Sequence, residues 1–186
     1  MPLQGTHNII FTPDTAEHFL SCAYRQWQQW PATARTRLSN MLFMICRAPS
    51  YEWDWERLVV EYMVLDAAYR TAVELRHVKP TNAHAERIES LFEGYNLRRN
   101  PSFCKQVVSL RNDLLHEALW DHGQPGAAAS LPAFFAPLHL RRLNQRLIPA
   151  LPGYENDYVR SHWWSIGCFV FDKSKSGTSF PGRQCR

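Results

Sequence analysis

The stretch Ser109-Leu110-Arg111-Asn112-Asp113-Leu114-Leu115-His116-Glu117 sets an arginine, an amide and a histidine within about one and a half turns of an otherwise apolar helix. A guanidinium offers a planar fork of donors that fits phosphate oxygens. An imidazole has an unperturbed pKa of about 6.5 and moves protons near neutral pH. Together Arg111 and His116 have the chemistry of a phosphoryl-transfer site, with Asn112 placed to hold the ring or the substrate.

The surrounding element follows from spacing. Phe103, Val107, Leu110, Leu114 and Ala118 recur at steps of three and four behind Pro101 and Ser102, which predicts a helix. Arg111 falls in the middle of its apolar arc. Arginine does not deprotonate, so a buried guanidinium requires a partner, and a buried acid is the expected one. The segment from 53 to 76 supplies a candidate: Asp66 projects from a face made of Trp55, Leu58, Val59, Tyr62, Leu65, Tyr69 and Val73. The expectation is a buried Asp66–Arg111 ion pair joining two helices, with Glu61, on a flank of the same helix, as second choice. Loss of Asp66 should then do more harm than loss of Glu61.

Asn112 and His116, four apart, share a face at the edge of the arc. Arg111 and His116, five apart, diverge by about 140° on an ideal helix. They meet at one phosphate in one of two ways: the arginine side chain bends round, or a second subunit supplies part of the site.

Arg111-Asn112-x-x-x-His116, inside an apolar helical run and followed by a long loop, resembles the Arg-x(4–6)-His signature of the HEPN superfamily. Asp66, in Met63-Val64-Leu65-Asp66-Ala67-Ala68, resembles the acidic residue that many members carry on an earlier helix, and the match spans roughly residues 50 to 120. The resemblance implies an all-α bundle, here with additional flanking helices, that forms a homodimer with both motif helices lining one cleft. It further implies a metal-independent endoribonuclease of a toxin or phage-defence type, with Arg111, Asn112, His116 and Asp66 as the site. RNA brings its own nucleophile, the 2′-hydroxyl, so the expected products are a 2′,3′-cyclic phosphate and a 5′-hydroxyl. No metal or cofactor is expected, and RNA and an antitoxin or other defence protein are the expected partners. The alternative is a noncatalytic HEPN-like module that binds RNA, nucleotide or a protein. A third reading makes the arginine and histidine incidental to a structural helical protein, since Arg–Asp pairs inside helices often serve architecture alone.

Composition is consistent with one folded domain over residues 1–171 and a flexible tail over 172–186. The 186 residues are 45% hydrophobic and 13% aromatic, enough for a sizeable core. Five widely spaced cysteines without a CxxC pair (Cys22, Cys46, Cys104, Cys168, Cys185) read as reduced thiols of a cytoplasmic protein. No segment is apolar enough to span a bilayer and no leader pattern opens the chain. The formal charge of +4 permits an anionic partner without demanding one. Arg98 and Arg99, just before the motif helix, are the preferred backbone contacts for RNA, ahead of Arg141, Arg142 and Arg146.

The remaining elements are helical with proline punctuation: 14–30, 33–47, 82–97, about 132–148 and about 155–171. His116, Asp121 and His122 match no established zinc spacing and read as part of a structural loop. Trp27, Trp30, Trp53, Trp55 and the Trp163-Trp164 pair sit in apolar helical settings, as core or dimer interface rather than base-stacking platforms.

Overall fold

Leu58, Glu61, Tyr62, Leu65, Ala68, Tyr69 and Ala72 recur at steps of three and four, and all are buried along one 21-residue helix, Asp54–Glu74. In the computed structural model, described for residues 13–97, 101–123 and 130–154, this helix is the axis of the fold. In chain order the elements are α1 (Pro13–Gln29), α2 (Ala32–Arg47), a 3-10 turn (Ala48–Ser50), α3 (Asp54–Glu74), α4 (His84–Gly94), α5 (Pro101–Glu117) and α6 (Leu131–Ala150). The protein is all-α, with six helices and no strand among the described residues. An isolated bridge pairs Trp120 with Gly123 beyond α5. α3 packs most extensively against α6 and α2, and less so against α4 and α5.

Local chemistry sets the ends. Glu56 accepts the Trp53 backbone N–H at 3.2 Å, and with Asp54 puts negative charge at the positive end of α3. Ser130 caps α6, its Oγ accepting from the Ala133 N–H. The C-termini of α3, α4 and α5 close with left-handed residues that are not glycine: Arg76 (φ 63°), Asn96 (φ 51°) and Ala118 (φ 56°). After each, a backbone N–H returns to the helix, from His77 to the Ala72 carbonyl, Leu97 to Phe92 and Leu119 to Asp113. Gly94 marks a close approach: a Cβ there would stand 2.5 Å from Cγ1 of Val78, so the chain between α3 and α4 lies directly on the end of α4.

The core draws on α2 to α6, including Met41 of α2, Val64 and Leu65 of α3, Leu91 and Phe92 of α4, Val107 and Leu110 of α5, and Leu140 and Leu147 of α6, with Phe19 and Trp27 of α1 packed against it. Of the tryptophans, Trp30 is buried, Trp27 and Trp55 are partly buried, and Trp53 is exposed. No described helix is long and apolar enough to cross a membrane.

Three expectations are corrected here. Glu61, the second-choice acid, is the buried one at 1% exposure, whereas the Asp66 side chain is 37% exposed. α6 covers the flank on which Glu61 lies, and Asn144 of α6 donates to both its backbone carbonyl (2.8 Å) and its Oε2 (2.9 Å). Arg142 and Arg146 are buried at 6% and 0% exposure rather than displayed to RNA, because α6 packs along α3 instead of standing at the surface. Cys22 is disulfide-bonded, its partner lying outside the described residues, while Cys46 and Cys104 carry thiols. Arg98 and Arg99, the expected helix over 155–171 with Trp163 and Trp164, and the tail lie outside the described residues.

Candidate functional site

Arg111 rises from the buried face of α5, and its neighbours Leu110 and Leu114 anchor that face in the core. Its side chain bends along the helix: Nη1 donates to Asn112 Oδ1 at 2.9 Å and meets His116 Nε2 at 3.1 Å. The two residues that diverge on an ideal helix thus converge within one chain, by the first of the two routes. The guanidinium carbon lies 5.8 Å from the centre of the Tyr62 ring, within cation–π range. Arg111 Nε is buried without a hydrogen-bond partner among the described residues.

The expected Asp66–Arg111 pair is absent. Asp66 Oδ1 accepts instead from Arg87 Nη1 of α4 at 3.0 Å. Arg87 is further held by the Thr81 carbonyl and by the face of Tyr69, 5.5 Å from its guanidinium carbon. α4 therefore supplies the cation that neutralises Asp66. Arg111 has no ion pair with a carboxylate among the described residues. Its positive charge is met by an amide oxygen, an imidazole nitrogen and an aromatic face, each of which solvates without neutralising.

That charge borders a half-open groove of about 440 Å³ between α2, α3 and α5, closed at one end by the start of α4. A volume of this size is typical of small-ligand and nucleotide clefts. Three arginines, Arg37, Arg70 and Arg111, line it against a single carboxylate, Asp66. Arg37 is paired with Glu74, and Asp66 with Arg87. Arg70 and Arg111 are left to set a positive potential. The lining is apolar and soft, with Met41, Met44 and Met63 among its side chains. Met63 and Leu115, about half exposed, form part of its rim.

His84, at the first position of α4, also lines the groove. Its Nδ1 lies 2.8 Å from the Tyr62 hydroxyl. Burial, then the charges of Arg111 and Arg87, hold its pKa below the usual histidine value, so the ring is neutral at pH 7. Burial is also the chief reason that Tyr62 is pushed up to about 12, which keeps its hydroxyl protonated.

Arg111, Asn112 and His116 are thus brought together, while Asp66 shares the groove but serves another arginine. Reading the sequence alone misses Tyr62, His84 and Arg87. Tyr62 lies one turn before Asp66 on the same stripe, and His84 and Arg87 are three apart just after the Pro80 break, so helical spacing held the signal. His122, expected in a loop, has its Nδ1 3.7 Å from Asp113 Oδ2. Among the described residues no three metal-ligating side chains cluster. Compared with protein-family models, with curated proteins and with solved structures, the chain matches none.

Proposed function

We propose that this protein is an HEPN-like endoribonuclease that cleaves RNA without a metal, by attack of the 2′-hydroxyl on the adjacent phosphorus. The observation that carries the reading is the convergence of Arg111 Nη1 on His116 Nε2 at 3.1 Å, at a groove where Arg111 has no carboxylate partner among the described residues. A phosphodiester supplies the missing negative charge. Its nonbridging oxygens would take the N–H groups of Arg111, which stabilises the charge that builds up on phosphorus. His116, freed from the arginine, would move a proton, and Asn112 would steady the guanidinium. Arg70 would meet a neighbouring phosphate, and the methionine lining suits stacked or splayed bases. Asp66, bound to Arg87, would act on the site only by lowering the positive potential of the groove.

A homodimer fits the same reading. Met63 and Leu115, apolar and half exposed at the rim, would be covered by a second copy laid across the groove. A toxin or antiviral-defence role is the biological setting the resemblance implies.

The test is cleavage of a mixed RNA pool in EDTA by the wild type and by folded His116→Ala and Arg111→Ala variants, with end-group analysis. Cyclic phosphate ends, with at least about 100-fold loss in each variant, are expected. Activity that disappears in EDTA and returns with magnesium refutes the mechanism. A folded wild type that binds RNA yet never cleaves it points to a noncatalytic binding module.

A further inference from the structure

Tyr62 touches two other residues that line the groove, Arg111 and His84. The guanidinium of Arg111 lies over its ring at 5.8 Å, and its hydroxyl meets His84 Nδ1 at 2.8 Å, with the two ring centres 5.9 Å apart. Arg111 in turn reaches His116 on its other side. The contacts thus run His84, Tyr62, Arg111, His116, and link two imidazoles through a guanidinium that has no carboxylate partner among the described residues. Nothing in the sequence motif required the first of them.

We propose that His84 is the catalytic base of the site and that His116 is its acid. This rests on the nuclease reading above. In-line displacement at phosphorus demands a proton acceptor at the attacking oxygen and a proton donor at the leaving one, on opposite sides of the phosphate. In the tautomer whose Nδ1–H donates to the Tyr62 oxygen, which the proposal requires, His84 carries its lone pair on Nε2, and that nitrogen has no hydrogen-bond partner among the described residues. That nitrogen takes the proton from the 2′-hydroxyl. The 2′-oxygen bonds to phosphorus, the bond from phosphorus to the 5′-oxygen breaks, and the departing oxygen takes a proton from the His116 imidazolium. The products are a 2′,3′-cyclic phosphate and a 5′-hydroxyl. One proton has entered at His84 and one has left at His116, and exchange with water restores both.

The groups facing His84 agree with this division. Tyr62 and Asp66 face it from α3, Arg87 from its own helix, and Arg111 and His116 from α5. Burial first, and then the cations that outnumber Asp66, keep His84 unprotonated and ready to accept. His116 begins with its Nε2 accepting from Arg111. Once a phosphodiester draws that N–H away, the same nitrogen is free to carry the proton that the leaving oxygen takes.

The experiment uses an oligoribonucleotide containing a cleavage site mapped with the wild type, and the same oligonucleotide with a 5′-bridging sulfur at that site. Sulfur leaves without protonation. His84→Gln and His116→Ala, each with a wild-type circular dichroism spectrum, should both lose about 100-fold or more on the oxygen substrate. The sulfur substrate should restore His116→Ala to within about tenfold of the wild type and leave His84→Gln impaired. The pH–rate profile of the wild type should be a bell, and His84→Gln should lose its acidic limb. Full activity in His84→Gln, rescue of that variant by sulfur, or an unchanged bell at lower amplitude overturns the assignment while leaving the nuclease intact. Failure of the wild type to cleave any RNA overturns the nuclease reading itself.

Discussion

Two carboxylates on α3, five positions apart, live under opposite conditions. Asp66 is partly solvated and paired with Arg87, so Asp66→Ala should cost at most about 1 kcal/mol in chemical denaturation, as exposed ion pairs do. Glu61 is buried against Asn144, with Oε1 lacking a hydrogen-bond partner among the described residues, and burial raises its pKa from 4.5 to about 7. Because the folded protein binds this proton more tightly than the unfolded chain, the stabilisation is complete below pH 4.5 and disappears as pH rises through 7. Glu61→Gln keeps an oxygen for the Asn144 amide and removes the ionisation. It should therefore leave stability near pH 4 almost unchanged and raise it at pH 8 by up to about 3 kcal/mol. Equal shifts at both pH values would contradict the burial argument. Spacing set Asp66 within the apolar face and Glu61 on its flank, which made Asp66 the expected buried acid and Arg111 its expected partner. The outcome was decided by α4, which brought Arg87 to Asp66, and by α6, which brought Asn144 to Glu61.

At the scale of elements, the helices are legible where prolines and apolar periodicity act together. Spacing predicts helices over 14–30 and 33–47, and Pro13–Gln29 and Ala32–Arg47 are observed. The C-terminal ends are harder to read, since α3, α4 and α5 stop at left-handed Arg76, Asn96 and Ala118 rather than at a glycine. A side chain with a Cβ held at positive φ is strained by about 1 kcal/mol. Arg76→Gly should relieve this and stabilise the protein by roughly 0.5–1 kcal/mol, whereas Arg76→Val should destabilise it. Thermal unfolding of the pair would show the two signs, and a Gly variant no more stable than Ala at this position would argue against a strained cap. The packing of one element on another, which decides the partners of Arg111 and Asp66, is long-range in sequence and has no local signature.

For the molecule as a whole, the modest net charge conceals a local excess of cations along the groove. RNA binding should depend on salt accordingly. Arg70→Glu should weaken it and reduce the slope of log K against log salt by about 0.7 for each single-strand phosphate that is no longer neutralised. An unchanged slope would place the RNA elsewhere. Leu115→Glu should leave the monomer folded and shift sedimentation from dimer to monomer, because it sets a charge on the apolar rim. A monomeric wild type, fully active, would remove the second copy from the reading.

The chain contains four methionines, and Met41, Met44 and Met63 all line the groove. Their terminal methyl groups are sharp nuclear magnetic resonance signals when enriched with carbon-13, even in proteins much larger than this one. A single labelling step therefore equips the cleft with three internal reporters and leaves Met1 as a reference. Titration with an oligonucleotide that resists cleavage, for instance one methylated at the 2′-oxygen, would move the three groove resonances and spare the fourth if the cleft is occupied. Each methyl also senses a different depth, from fully buried Met41 to half-exposed Met63, so the pattern of shifts would trace how far into the cleft the bound strand reaches.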